Sequence, residues 1–407
     1  MKLLNIKNEI RQLGRERTFF LSAVSFGHVA VHWYSQMLPL VIPSLKAELN
    51  LSDVQVGTIT TAHMGVSSAA TLPSGYVADS FYKRGPLILA AAILIFGLAL
   101  LVMGTATFYV TALVAAGLLG LASGLWHPTA IGHLSHRFPD RRGFALSMHG
   151  VGASIGDSLA PIAVGAILLF AGWRYALALH MIPAILIAFI LWKGIGRMYK
   201  DSAAMPKPSF KSYLGGLKAM ITNRQVVAVT VSNAFGSMAR ISVITFLPIY
   251  ISDTLGYSEF ILGVYLTLLY VMGMVSQPIM GLVSDKFGRK SVIVPSFLLM
   301  GLLFIALAYA DKGFQLGLVI GGLGCFFYAI VNVTQSAVMD VASTGVQSST
   351  MGVMSLISQP FTLSAPIIAG FLVDAKGIES VFWYAGGLAF LAVVVLIPVR
   401  FKRGVSG

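Results

Sequence analysis

A chain of 407 residues that is 57% hydrophobic and only 11% charged is not an ordinary soluble domain, in which charged residues reach about 25%. Its apolar stretches run about 20 residues or more without strand-like alternation, so the solvent is lipid and the spanning element is helix, because lipid offers no partner to an unpaired backbone group. The one cysteine, Cys325, excludes an internal disulfide and any cysteine-based zinc spacing.

Taken in order, the apolar spans fall at about 18–45, 53–78, 86–106, 108–135, 143–170 and 174–195, then 225–252, 258–283, 291–310, 314–340, 346–372 and 379–399. The basic start leads straight into the first span, without the pattern of a cleaved signal. The net charge of +13 gains its meaning from where it sits. Of 28 Lys and Arg, 23 lie in the N-terminal arm, loops 2–3, 4–5 and 8–9, the central linker and the tail. By the positive-inside rule these segments and both termini are cytoplasmic. The charge is a topology signal, and no nucleic-acid partner is expected.

The polar stretch around 200–224 divides the chain six helices to six, giving halves 1–196 and 225–407 joined by a cytoplasmic linker at 197–224. The halves repeat each other. Phe26-Gly27 and Leu38-Pro39 return as Phe235-Gly236 and Leu247-Pro248 at an offset of 209. Ser52-Asp53 with Gly57 returns as Ser258-Glu259 with Gly263, and Ala160-Pro161 with Gly165 returns as Ala365-Pro366 with Gly370. Parallel six-helix repeats are a transporter design in which substrate binds near the midplane between halves.

Two loops carry the most specific pattern. Gly281-Leu-Val-Ser-Asp285-Lys-Phe-Gly288-Arg289-Lys290 follows the eighth span, and Gly75-Tyr-Val-Ala-Asp79-Ser-Phe-Tyr82-Lys83-Arg84 follows the second. Glycines at 75 and 281 are expected to permit close helix approach. Asp79 and Asp285 are expected to pair with cations or helix N-terminal amides, a contact that can be made in one packing and broken in another. Tyr82 stands where the second copy has Gly288, so the first turn is expected to differ. The stretch Gly281–Lys290 matches in full the loop 2–3 motif of the major facilitator superfamily, and the whole chain resembles that family. The resemblance implies an all-α polytopic membrane protein of twelve transmembrane helices, working by alternating access.

Within that family, Gly124-Leu-Trp-His127-Pro128 followed by Met148-His149-Gly150 and the run Gly152, Gly156, Ala160, Pro161 resembles the bacterial fosmidomycin-resistance group of efflux carriers. The same run is similar to the helix 5 motif of the superfamily's antiporters. Helix 4 reads Ala115-Ala116-Gly117 where drug–proton antiporters carry an arginine, so coupling through that arginine is not expected. The resemblance implies a monomer in the bacterial inner membrane, energised by a proton gradient rather than a cofactor.

Ionisable groups at bilayer depth cost about 2.5–3.5 kcal/mol each on insertion scales, so each calls for a reason. Asp157 in helix 5 is a candidate for proton coupling, balanced against a packing role beside the small-residue run. Arg240 in helix 7, with Asn233 and Ser237 at i−7 and i−3, is a candidate anion site. Opposite charges, one in each half, could form a state-dependent pair. All eight histidines lie in the first half. His28 and His32 share a stripe on helix 1 with Ser25, Ser35 and Gln36, suited to carrying protons or binding an anion. Their i, i+4 spacing also suits a shared metal ion, but the stripe supplies no third ligand, so no metal site is assigned. His127 and His149 join the candidate set; His133 and His136 are read as interfacial. In the second half Asn332, Gln335 and Gln359 complete the candidates, and Trp33, Tyr34, Trp126 and Tyr328 are candidate aromatic walls.

A membrane enzyme is excluded for want of a nucleophile–base set or a cofactor loop, since Gly150, Gly152 and Gly156 lie inside an apolar span with no strand before them. A receptor would carry soluble domains or signalling motifs. The expected function is proton-coupled export of a small organic compound, anionic or amphiphilic. Proton-coupled import of an organic anion is the alternative, and metal-ion export a more distant one.

Overall fold

The computed structural model describes residues 6–199, 223–341 and 347–399; the linker and the last residues lie outside that set. Among the described residues every regular element is helical. The spans are α1 (Ile6–Leu49), α2 (Asp53–Ser80), α3 (Gly85–Gly104), α4 (Tyr109–Arg137) and α5 (Arg142–Leu168), then α6 (Trp173–Ile195) and α7 (Arg224–Thr254). They continue as α8 (Glu259–Phe287), α9 (Arg289–Leu307), α10 in two pieces (Phe314–Phe327 and Ala329–Val341), α11 (Gln347–Lys376) and α12 (Glu379–Leu396). Ten of these, α3 to α12, contain a stretch long and apolar enough to cross a bilayer. In α1 and α2 histidine, serine and threonine dilute the hydropathy.

Helix α1 starts well before the expected residue 18 and is broken at Gly14, whose φ of 75° is costless only for glycine. Prolines inside α1, α2, α4, α5, α7, α8, α9 and α11 are tolerated because neighbouring helices and side chains take up the backbone groups they free. Helix α7 begins on Asn223, whose side chain accepts from the Gln225 and Val226 amides at 3.0 and 3.3 Å and so caps orphan donors.

The chain forms two compact units, one within Met1–Leu38 and Ala62–Lys207, the other within Pro39–Thr61 and Pro208–Gly407. In the first unit Trp126 is fully buried, and a Cβ on Gly27 would strike its indole. In the second, a Cβ on Gly236 would strike the Phe297 ring. The repeated Phe-Gly pair thus marks two places where an aromatic ring packs against helix backbone. Pro39–Thr61 belong with the second unit because α2 begins against α11. Asp374 accepts from the Asp53 and Val54 amides at 3.0 and 3.3 Å, and a Cβ on Gly370 would lie 2.5 Å from the Asp53 carbonyl oxygen.

The two loop motifs fold differently. Gly288 takes φ 91° between α8 and α9. Tyr82, its counterpart, starts a short 3-10 turn, Tyr82–Arg84, and its ring stacks on His133 with centroids 4.4 Å apart. His133 is therefore a core residue, 1% exposed, and not interfacial. The expected close approach at the first glycines is also corrected. A Cβ on Gly75 would meet only Pro128 Cβ at 3.7 Å, and one on Gly281 would meet nothing within 4 Å. The cations do find partners in the second copy. Arg289 Nη1 lies 2.5 Å from Asp285 and its Nε donates to Asp340 at 2.8 Å, while Lys290 Nζ donates to the Ile397 and Val399 carbonyls at 2.6 and 3.0 Å. In the first copy Arg84 lies over the Phe81 ring at 5.5 Å, Lys83 sits in the same turn, and the Asp79 side chain lies outside the described set.

Candidate functional site

The first unit gathers its candidates into one cluster because α5 presses its backbone onto α1. A Cβ on Gly152 would lie 2.5 Å from the Ser25 carbonyl oxygen, and one on Gly156 would lie 2.8 Å from His32 Cβ and against the Val29 carbonyl. Ala160 and Pro161 continue the stripe and are buried. Small residues at such spacing let membrane helices approach closely, and here the approach seats Asp157 on α1. Its Oδ1 accepts from Gln36 Nε2 at 2.7 Å and lies 3.0 Å from His32 Nδ1.

The other histidines converge on the same place. His28 Nδ1 lies 2.8 Å from the His149 carbonyl oxygen, and His127 Nδ1 lies 2.9 Å from the Ser123 carbonyl oxygen. A carbonyl only accepts, so both Nδ1 atoms carry the proton, and in the neutral rings both Nε2 atoms are lone pairs. Those two Nε2 atoms face each other at 3.4 Å. The His28 and His149 rings stack with centroids 3.7 Å apart; His149 is 4% exposed, and among the described residues neither of its ring nitrogens has a hydrogen-bond partner. His28, His32, Gln36, His127, His149 and Asp157 are thus brought together. Trp126, read as a possible wall, is packed beneath Gly27 instead.

In the second unit Arg240 is the organising group. Helix α10 is interrupted at Tyr328, and Arg240 Nη1 donates to the Phe327 carbonyl there at 2.9 Å. Its Nη2 donates to Ser237 Oγ at 3.0 Å, and the guanidinium lies over the Phe327 ring at 5.6 Å. Among the described residues Arg240 Nε, sealed from solvent, has no partner, and no carboxylate reaches ion-pair distance of this side chain. Asp157 is held by His32 and Gln36, and Arg240 by Ser237 and backbone.

Asn233 Oδ1 accepts from Thr334 Oγ1 at 2.9 Å, and Asn332 Nδ2 donates to Gln277 Oε1 at 3.1 Å. Gln335 lies half-buried on the second piece of α10 and Gln359 half-buried on α11, with Gln359 Oε1 buried and without a partner among the described residues. Gln277 and Thr334 were not anticipated. Gln277 precedes Pro278 in an apolar span, as Gln359 precedes Pro360, and that shared pattern was its one signal.

The Major Facilitator Superfamily profile matches residues 24–230 and 226–405. The chain belongs to this superfamily. It is 27% identical over 304 residues to the Fosmidomycin resistance protein of Escherichia coli (strain K12), a match spanning 73% of each chain. It is 26% identical over 295 residues to the Probable nitrate/nitrite antiporter NarK1 of Thermus thermophilus, covering 70% of this chain and 64% of that protein. In fold the chain is similar to a bacterial homolog of the human lysosomal transporter Spinster, a structure described as inward-facing and unoccupied, with a TM-score of 0.74 at 16% identity over 95% of this chain and 99% of that one. The chain is a multi-pass membrane transporter of small molecules and not an enzyme.

Proposed function

We propose that the protein is a proton-coupled antiporter that exports a small organic anion from a bacterium, acting as a monomer in the inner membrane with both termini cytoplasmic. The observation that carries the reading is Arg240, a guanidinium inside a span whose buried Nε–H is unspent and beside which no carboxylate stands among the described residues. A charge kept at that depth without a counter-ion is a standing demand for an anion. Gln277, Asn332 and Gln359 supply neutral hydrogen-bonding groups in the same unit, fitted to the polar part of an organic substrate. Asp157 is the acid at span depth and takes the proton that drives exchange. Export rather than uptake follows the similarity to the Fosmidomycin resistance protein and the Gly152–Gly156–Ala160–Pro161 stripe, and anion handling is in keeping with the printed name of the NarK1 relative.

The test is transport of labelled fosmidomycin, nitrate and a panel of organic anions in proteoliposomes under an imposed pH gradient. Antiport requires that an acid interior drives accumulation and an acid exterior does not. The opposite asymmetry assigns uptake by symport, and equal flux removes proton coupling. Arg240→Ala removes a charge-assisted hydrogen bond of about 1.5–3 kcal/mol. Affinity for the anion is expected to fall about 10–100-fold, and an unchanged affinity ends the assignment of Arg240 to the substrate.

A further inference from the structure

We infer that His28, His32 and His127 form a tripodal binding site for a late first-row divalent metal ion such as Zn2+, Co2+ or Ni2+. The inference stands on geometry and does not depend on what the transporter exports. Spacing on α1 offered two imidazoles and no third; α4 provides it. One ring nitrogen of each residue lies within 4.8 Å of the others.

Three observations separate this cluster from an ordinary set of cavity histidines. First, every ring has its Nδ1 committed to an outer acceptor: His28 to the His149 carbonyl, His127 to the Ser123 carbonyl and His32 to the Asp157 carboxylate. Metal-bound imidazoles show this arrangement, one nitrogen donating outward to a carbonyl or carboxylate and the other left bare for the ion. Second, the His28 and His127 Nε2 atoms face each other at 3.4 Å. That is longer than the usual range of about 2.7–3.2 Å for an N–H hydrogen bond. It matches the span of about 3.3 Å between two nitrogens bound at about 2.0–2.1 Å to one tetrahedral ion. Third, the surroundings can hold a dication. Asp157 stands one ring behind the site with Gln36 fixing its Oδ1, and no Lys or Arg contacts any of the three rings among the described residues. His149 flanks the site as a flat cover on His28.

Three neutral imidazoles without a thiolate favour zinc and its neighbours over copper(I), calcium or magnesium. Three protein ligands also leave a fourth position open, which water or an anionic group can take. The ion would tie α1 to α4 within the first unit, at the turn where Pro128 removes a backbone donor.

The experiment uses the full-length protein, purified in detergent without a polyhistidine tag, and Co2+ as a spectroscopic stand-in for Zn2+. The expected result is one equivalent of Co2+ with intense tetrahedral ligand-field bands, displaced by Zn2+. His28→Gln and His127→Gln should each weaken binding at least about tenfold. Asp157→Asn, which alters only the outer partner of His32, should weaken it about 10–100-fold. His180→Gln, a buried histidine hydrogen-bonded to Trp33, should leave binding unchanged. Wild-type protein that takes up no stoichiometric Co2+, or variants that keep the tetrahedral spectrum, overturn the inference. Should the histidine variants fail to stay monodisperse, X-ray absorption on zinc-loaded wild type decides: three imidazole nitrogens are required, and a shell of oxygens alone refutes the site.

Discussion

Adding a single methyl group at Gly156 should unseat the acid of the first unit. A Cβ there would lie 2.8 Å from His32 Cβ and 3.2 Å from the Trp33 amide nitrogen, and against the Val29 carbonyl. Carbon atoms rest at about 3.5–4.0 Å, so α5 must recede from α1 by about 0.7–1.2 Å, since the obstacles are backbone and a Cβ and cannot rotate away. Asp157 is the next residue and moves with the helix. Its contacts of 3.0 Å to His32 and 2.7 Å to Gln36 then stretch past the hydrogen-bond range. Overpacking costs about 1–3 kcal/mol, and each hydrogen bond to a charged group lost adds up to about 1.5–3 kcal/mol. Gly156→Ala should therefore melt several degrees lower in detergent and lose gradient-driven transport, while Gly150→Ala, on the same helix with nothing within 4 Å, should match the parent in both. A Gly156→Ala protein with parental melting and parental flux would falsify the claim that backbone contact positions Asp157.

Two further outcomes follow from individual contacts. Asp157→Asn keeps an acceptor for Gln36 but has no proton to exchange, so substrate counterflow should persist while pH-driven accumulation disappears; loss of both, in a folded protein, would make the residue structural. Outside the spans, Asp140 accepts from Arg17 Nη1 at 3.2 Å, and this hydrogen bond holds its carboxyl below the usual range. A depressed carboxylate contributes stability at pH values above its ordinary value of about 3.9, and that contribution is lost only as pH falls through the lower folded value. The melting difference between wild type and Asp140→Asn should thus be constant near neutrality and vanish only in strong acid, and a difference that fades between pH 7 and 5 contradicts the pairing.

What could be read from the sequence was whatever depends on one helix at a time. Span positions, the repeat and the stripe of His28, His32 and Gln36 are periodicities, and periodicity survives any packing. Whether Gly75 or Gly156 is the glycine that matters depends on which neighbour arrives, and only the second meets a backbone. His127 and His149 were visible as histidines in spans, yet nothing local says that α4 and α5 aim them at α1. His133 looked interfacial because it lies near a helix end; Tyr82, in the place of the motif's glycine, is what covers it. Gln277 was missed because a glutamine before proline acquires meaning only when Asn332 stands opposite.

The division of labour between the halves can now be put in terms of hydrogen-bonding capacity. In the first unit the three Nδ1 donors of His28, His32 and His127 meet three acceptors, so the donors are spent. The lone pairs on the Nε2 side are not. That cluster is short of positive charge, and a proton or a dication supplies it. In the second unit the imbalance is reversed: Arg240 has a buried donor unspent and no carboxylate partner among the described residues. Unmet polar capacity at span depth costs free energy in the unliganded protein, and a ligand of the right sign recovers it. The two units have the same fold and opposite deficits, which is what a carrier exchanging a cation for an anionic substrate requires.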